Sequence, residues 1–149
     1  MYIEELTRGN QAEVRALILA GLAEHWGEID PTLNPELDDM VDSYGAGRTI
    51  LIRGDDGALL GTGTLLPRSD DTAEILRMSV AHTARRSGIG RRIVDELLVT
   101  AGGWSATRVI LETTSAWPDV IAFYLSCGFA ITHTDDGDFG SDTWFERSV

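Results

Sequence analysis

Apolar residues recur along this chain with two periods, and the switches between the periods mark its elements. Residues 2–6 alternate like a short strand. Val14, Leu17, Ile18, Gly21 and Leu22 share one face at helical spacing. They follow Asn10-Gln11-Ala12-Glu13, which has the spacing of an N-cap with a capping box. Residues 25–33 read as a loop. Asn34-Pro35 then offers a cap and a first-turn proline for a second helix, whose apolar stripe is Leu37, Met40, Val41 and Tyr44. Segments 49–53 and 58–66 are strand-like, joined by the hairpin chemistry of Gly54-Asp55-Asp56-Gly57. A second turn, 67–71, feeds a central strand that starts at Thr72 and runs to Val80. The next helix, 89–101, buries Ile89, Ile93, Val94, Leu97 and Leu98, and Gly102-Gly103 stops it. A strand over 108–114 and a short helix from Pro118 to Gly128 follow. Segments 129–134 and 141–147 close the chain as a hairpin around an acidic loop, 135–142.

This order predicts a single domain over residues 1–149, without repeats, low-complexity tracts or linkers. The strands on either side of the 89–101 helix are expected to be parallel, because a strand–helix–strand crossover requires it. The meander before them is expected to be antiparallel. The fold class is therefore α/β, a mixed and mainly antiparallel sheet flanked by helices.

The turn between the central strand and its helix carries chemistry. Arg85-Arg86-Ser87-Gly88-Ile89-Gly90 places two glycines and two arginines at a helix N-terminus, with Arg91 and Arg92 next. Such an end has unpaired N–H groups and a partial positive charge, which suit phosphate. Arginine adds charge-assisted donors. The turn has neither the Lys-Ser/Thr of a P-loop nor the G-x-G-x-x-G of a dinucleotide fold.

Composition narrows the function classes. The formal net charge is -12, and all twelve strong bases are arginine. That argues against nonspecific nucleic-acid binding. No apolar run approaches the ~18 residues of a membrane span. The acidic, strand-like N-terminus is unlike a signal peptide. The single Cys127 fits a reducing cytoplasm and reads as a packed side chain. His25, His82 and His133 lack metal-ligand spacing, so no metal is expected. Acidic residues gather over 28–42 and 135–142, either as a solvated surface or as a field for a cationic acceptor.

Four stretches occur in a telling order: Glu74-Ile75-Leu76-Arg77-Met78-Ser79-Val80, then Arg85-x-x-Gly88-x-Gly90, then Val109-Ile110-Leu111-Glu112-Thr113, then Phe123-Tyr124-x-x-x-Gly128-Phe129. The series resembles the GNAT superfamily of acyl-CoA-dependent N-acetyltransferases, whose acyl-CoA motif is Arg/Gln-x-x-Gly-x-Gly/Ala. The match is strong over about residues 72–129 and rests on element order alone before that. His82 stands where many members have proline.

The resemblance implies two parallel central strands that splay to admit an acyl-pantetheine arm. By carry-over, the amides of Met78 and Val80 face the pantetheine and thioester. The amides of Arg86, Ser87, Gly88, Ile89 and Gly90 cradle the diphosphate, with Arg85 and Arg91 as side-chain contacts. Tyr124 is the candidate acid and Glu74 the first candidate base, with Glu112 second. The alternative for Glu74 is a strand-end carboxylate paired with an arginine such as Arg77. Trp26, Trp117 and Trp144 either line an acceptor pocket or pack. The implied co-substrate is acetyl-CoA and the implied partner a small-molecule primary amine or amino-acid-like acceptor; a homodimer is left open. A protein N-terminal or lysine acetyltransferase, and a non-catalytic acyl-CoA-binding module, are the competing readings.

Overall fold

The alternating segments pair into one sheet, and the amphipathic segments cover its two faces. The computed structural model describes residues 1–138 and 140–149. Its strands are β1 (Tyr2–Glu5), β2 (Arg48–Arg53), β3 (Leu59–Pro67), β4 (Thr72–Val80), β5 (Arg108–Thr114), β6 (Ala130–Gly137) and β7 (Gly140–Ser148), in the spatial order β1-β2-β3-β4-β5-β7-β6. β4 and β5 are parallel, and every other neighbouring pair is antiparallel. The helices are α1 (Gln11–Trp26), α2 (Met40–Ser43), α3 (Ile89–Gly103) and α4 (Pro118–Ser126).

Two apolar layers result. Ile50, Ile52, Ile75, Val109 and Leu111 point to the α3 side and enclose Ile93 and Leu97. Leu51 points the other way and packs with Val14, Ile18, Leu37 and Met40. The alternation of Ile50, Leu51 and Ile52 between layers is the period of a strand buried on both faces.

Several boundaries differ from expectation for identifiable reasons. α1 continues through His25 and Trp26, closing only at Gly27 with φ +78°. The expected capping box does not form. Asn10 turns backward, accepting from Thr7 N–H (2.8 Å) and donating to Glu4 and to Glu5 O, while Glu13 pairs with Arg53. The segment expected as loop holds a short turn at Pro31–Leu33, and the second helix is broken into a turn at Pro35–Leu37 and the single turn of α2. Asp39 starts α2 afresh by accepting from Asp42 N–H (3.2 Å), as a short polar side chain does at a cap. Gly102 and Gly103 lie inside the last turn of α3, and the reversal falls at Ser105, φ +64°. The acidic 135–142 segment is mostly strand: Asp135 pairs with Asp142 and Asp136 with Ser141.

β4 is irregular at one place. Its register with β3 passes from Thr64↔Leu76 to Thr62↔Ser79, so β4 carries one extra residue. Arg77, with φ +56°, is that residue. A left-handed conformation costs a side-chain-bearing residue about 1–2 kcal/mol. The bulge also reverses the alternation. Before it Ala73 and Ile75 face α3; after it Met78 and Val80 do, and Ser79 turns to α1, donating to Leu17 O (3.3 Å).

Candidate active site

β4 and β5 pair only at Thr72↔Arg108, Ala73↔Val109 and Glu74↔Ile110. Beyond Glu74 the strands separate, and β4 continues to Val80 without a strand partner on that side among the described residues. Ala81 donates its N–H to Leu60 O on β3 (2.8 Å). Strand alternation then directs the amides of Met78 and Val80 away from β3, into the gap. An interior strand edge is thus left open, where burial without a partner would cost free energy.

The glycine turn stands at the open end of that edge. Arg86 (φ +62°) and Gly88 (φ +83°) are both left-handed, which turns successive N–H groups to one side. The first α-helical bond of α3 runs from Arg92 N–H to Gly88 O (3.0 Å), so the amides of Ile89, Gly90 and Arg91 have no helical acceptor. A side chain at Gly88 would meet nothing within 4 Å, so the space over the turn is open. Gly90 has another role: a Cβ there would lie 3.0 Å from Phe123, so its absence lets α3 and α4 pack. The arginines differ. Arg85 pairs with Glu24 of α1 and reaches Val80 O (3.4 Å). Arg91 donates to Ser126 O and Oγ (3.1 and 3.0 Å). Arg86 and Arg92 are exposed and have no ion pair among the described residues. Ser87 donates to Ala84 O and steadies the turn.

Tyr124 enters from α4. Its ring packs edge-on against Phe123 and Phe129 (centroids 5.1 and 6.0 Å) and at a tilt against Phe145 (5.8 Å). Its hydroxyl has no hydrogen-bond partner among the described residues, yet it is not an enclosed orphan. Burial pushes its pKa up, with Cys127 nearby adding to the effect. The hydroxyl therefore stays protonated well above neutrality.

The opposite face of the gap is acidic and aromatic. Glu74 lies at the zipped end, its Oε1 held by Arg68 Nε (2.7 Å) rather than by Arg77. Glu112 is two residues further along β5, beside Trp144 of β7. Its pKa is raised by partial burial and then by Asp142, Glu74 and Asp135, which share the face. Trp144 stacks on His133 (5.8 Å, 6°) and donates to Asp135. At the mouth, Trp117 packs against His25 and Trp26 of α1 (4.2 and 5.4 Å), linking both sides of the opening. Ser115 bonds Ser141 and Thr143 through their hydroxyls.

The fold thus brings Met78, Val80 and the 86–91 turn to the open edge of β4, keeps Glu74 where β4 and β5 still pair, and carries Glu112 on β5 and Tyr124 on α4. Sequence reasoning missed Glu24 and Arg68, because ion-pair partners across elements leave no local pattern. It also missed the bulge, because Arg77 sits within an otherwise regular strand pattern.

Similarities to other proteins agree with this geometry. The chain matches the family model described as Acetyltransferase (GNAT) family over residues 13–129. No curated protein matches it significantly in sequence. Among solved structures, a GNAT-family acetyltransferase from Staphylococcus aureus Mu50 is 20% identical, with TM-score 0.87 over 99% of this chain and 98% of that one. An acetyltransferase from Bacillus subtilis, in complex with CoA, is 21% identical, with TM-score 0.79 over 99% and 97%. An aminoglycoside 6'-N-acetyltransferase complexed with coenzyme A is 18% identical, with TM-score 0.78 over 99% and 97%. At these identities the structures speak to the fold, and the family match covers most of the sequence. The chain belongs to the GNAT family of acetyltransferases.

Proposed function

We propose that this protein transfers an acetyl group from acetyl-CoA to the primary amine of a small or amino-acid-like acceptor by direct attack. The observation that carries this reading is the open edge of β4 ending at an uncovered helix N-terminus. The residues fit the co-substrate: unpaired amides and free arginines for the diphosphate, and two outward amides for the arm. Acetyl-CoA supplies the activated acyl group.

In this mechanism the 86–91 amides hold the diphosphate, assisted by Arg86 and Arg92. Arg85 and Arg91 are the side-chain contacts expected from the motif; to reach phosphate Arg85 exchanges Glu24, and Arg91 exchanges Ser126. Met78 and Val80 direct their N–H groups at the arm and at the thioester oxygen, where they offset developing negative charge. An amine of pKa about 10.4 must lose a proton, which costs about 4.6 kcal/mol at pH 7. Glu74 and Glu112 share that proton-accepting role, directly or through water. Glu112 is nearer the open end, and its raised pKa suits a base. The amine nitrogen bonds to the acyl carbon, the carbon–sulfur bond breaks, and Tyr124 gives its proton to the departing sulfur.

The β6–β7 hairpin supports a second acceptor class, a basic peptide, because among the described residues the acidic 135–142 segment is mostly paired strand rather than a long loop. A thiol-release assay with acetyl-CoA and a panel of amines, amino acids and basic peptides tests both. Turnover with small amines and not with peptides is expected; no turnover with any amine, together with an unchanged melting curve in acetyl-CoA, rejects the reading.

A further inference from the structure

Arg77 sits at the bulge of β4 with φ +56°, a conformation that glycine would adopt with less strain. Nothing in the strand favours arginine there, so the hold must come from elsewhere. Its side chain is only 18% exposed and crosses to the α1–α2 layer. There Nε donates to Tyr44 Oη (3.1 Å), Nη2 donates to Asn34 Oδ1 (3.3 Å), and the guanidinium pairs with Glu36. Burial disfavours the guanidinium charge and lowers its pKa, and the Glu36 carboxylate stands beside it as counterion. The Tyr44 ring is itself buried, so its hydroxyl is a fixed anchor, with its pKa pushed up to about 12. All three anchors belong to residues 34–44, a segment of short turns that packs with α1 on the face of the sheet opposite α3.

We infer that Arg77 is a positioning residue. Anchored by Glu36, Asn34 and Tyr44, it holds the bulge that turns Met78 and Val80 toward the gap. The same contacts fix the 34–44 segment to the strand that grips the co-substrate. A regular strand would instead send residue 77 into the apolar α3 layer, where a guanidinium has no counterion. The inference rests on the reading that acetyl-CoA lies along β4, and it adds a tie from that strand to the α1–α2 layer.

Glycine separates the two roles of this residue. Arg77→Leu removes the anchors and keeps a side chain at positive φ; acetyl-CoA affinity by calorimetry should fall by about tenfold. Arg77→Gly removes the anchors and the strain together. It should restore acetyl-CoA affinity to within about twofold of wild type. Equal acetyl-CoA affinity in the Leu and Gly variants overturns the proposal. If the Leu variant does not fold, Glu36→Gln with Tyr44→Phe cuts two anchors and leaves β4 untouched. That double variant should bind acetyl-CoA more weakly, although neither residue reaches the co-substrate; wild-type affinity in it, once folded, also overturns the proposal. A wild-type protein that does not bind acetyl-CoA rejects the underlying reading instead.

Discussion

The two ends of β4 are strand in the same sheet, and they are put to opposite uses. At Thr72–Glu74 the backbone is zipped to β3 and β5, and the side chains around it, Ala73 and Val109, are nearly or fully buried. At Met78–Val80 one edge is bare, and the neighbouring side chains are only partly buried. A strand edge bonded on both sides is stability; the same edge with one side vacant is a binding surface. Substitutions should therefore sort by which end they touch, affecting catalysis and binding at one and folding at the other.

Tyr124 tests the open end most sharply. Tyr124→Phe keeps the ring contacts and removes only the hydroxyl, so the chemical step should slow by roughly 10- to 1,000-fold with acetyl-CoA affinity little changed. Since that hydroxyl has no protein partner among the described residues, the melting temperature should hold. The alkaline limb of the wild-type rate profile should lie above the ordinary tyrosine range, because burial raises this pKa, and it should move in the variant. Single-turnover kinetics at wild-type speed would remove Tyr124 from the mechanism.

Gly88→Val comes next. Valine is strained at φ +83°, and its branches occupy the open space over the turn. Acetyl-CoA should bind more weakly by about tenfold or more while circular dichroism shows a folded protein. Unchanged affinity would mean that the diphosphate rests elsewhere. The closed end should answer in the other currency. Val109→Ala should lower stability by about 2 kcal/mol and leave acetyl-CoA affinity near wild type. A matching loss of affinity would show that the two ends are not separable.

The smallest expected effect is electrostatic. Glu112 has a raised pKa in the fold, so the folded protein keeps this proton to higher pH than the unfolded chain. Its contribution to stability is full below the ordinary carboxylate range and is lost as pH rises through the raised value. Glu112→Gln should thus be slightly more stable than wild type at pH 7, with the gap closing in acid. If Glu112 takes the amine's proton, the acid limb of kcat/KM should shift as well, and more than in Glu74→Gln. A stability gap between Glu112→Gln and wild type that is the same at pH 4 and pH 7 would remove the raised pKa from this account.

The sheet was legible in the sequence because its signals are local. Gly54 to Gly57 make the expected hairpin, and the 89–101 periodicity makes α3. The turn at 85–90 was legible as a turn, because Gly88 takes a positive φ just before the helix that the periodicity starts at Ile89. The 34–44 segment was not. Its apolar stripe has helical spacing, but Asp39 offers the backbone a better partner than the helix does. The acidic hairpin misled for a related reason: aspartate reads as loop, whereas β7 supplies the pairing that makes it strand. The motif position of Glu74 says nothing of its tie to Arg68, which arises from a turn whose shape no local pattern shows.

The extra residue in β4 works as a phase shifter. Side chains before it are counted odd toward α3, and those after it even. Point substitution cannot undo that, because every residue beyond the step would keep its place in the count. Deleting Arg77 would: the strand becomes regular while Ala73, Ile75, Met78 and Val80 all stay in their present layer. Such a deletion keeps Ser79 opposite Thr62 and Val80 opposite Gly61, and what it removes is the bend and added twist between them and the zipped end. The layer that each side chain faces and the course of the backbone are thus set by separate letters of the same strand.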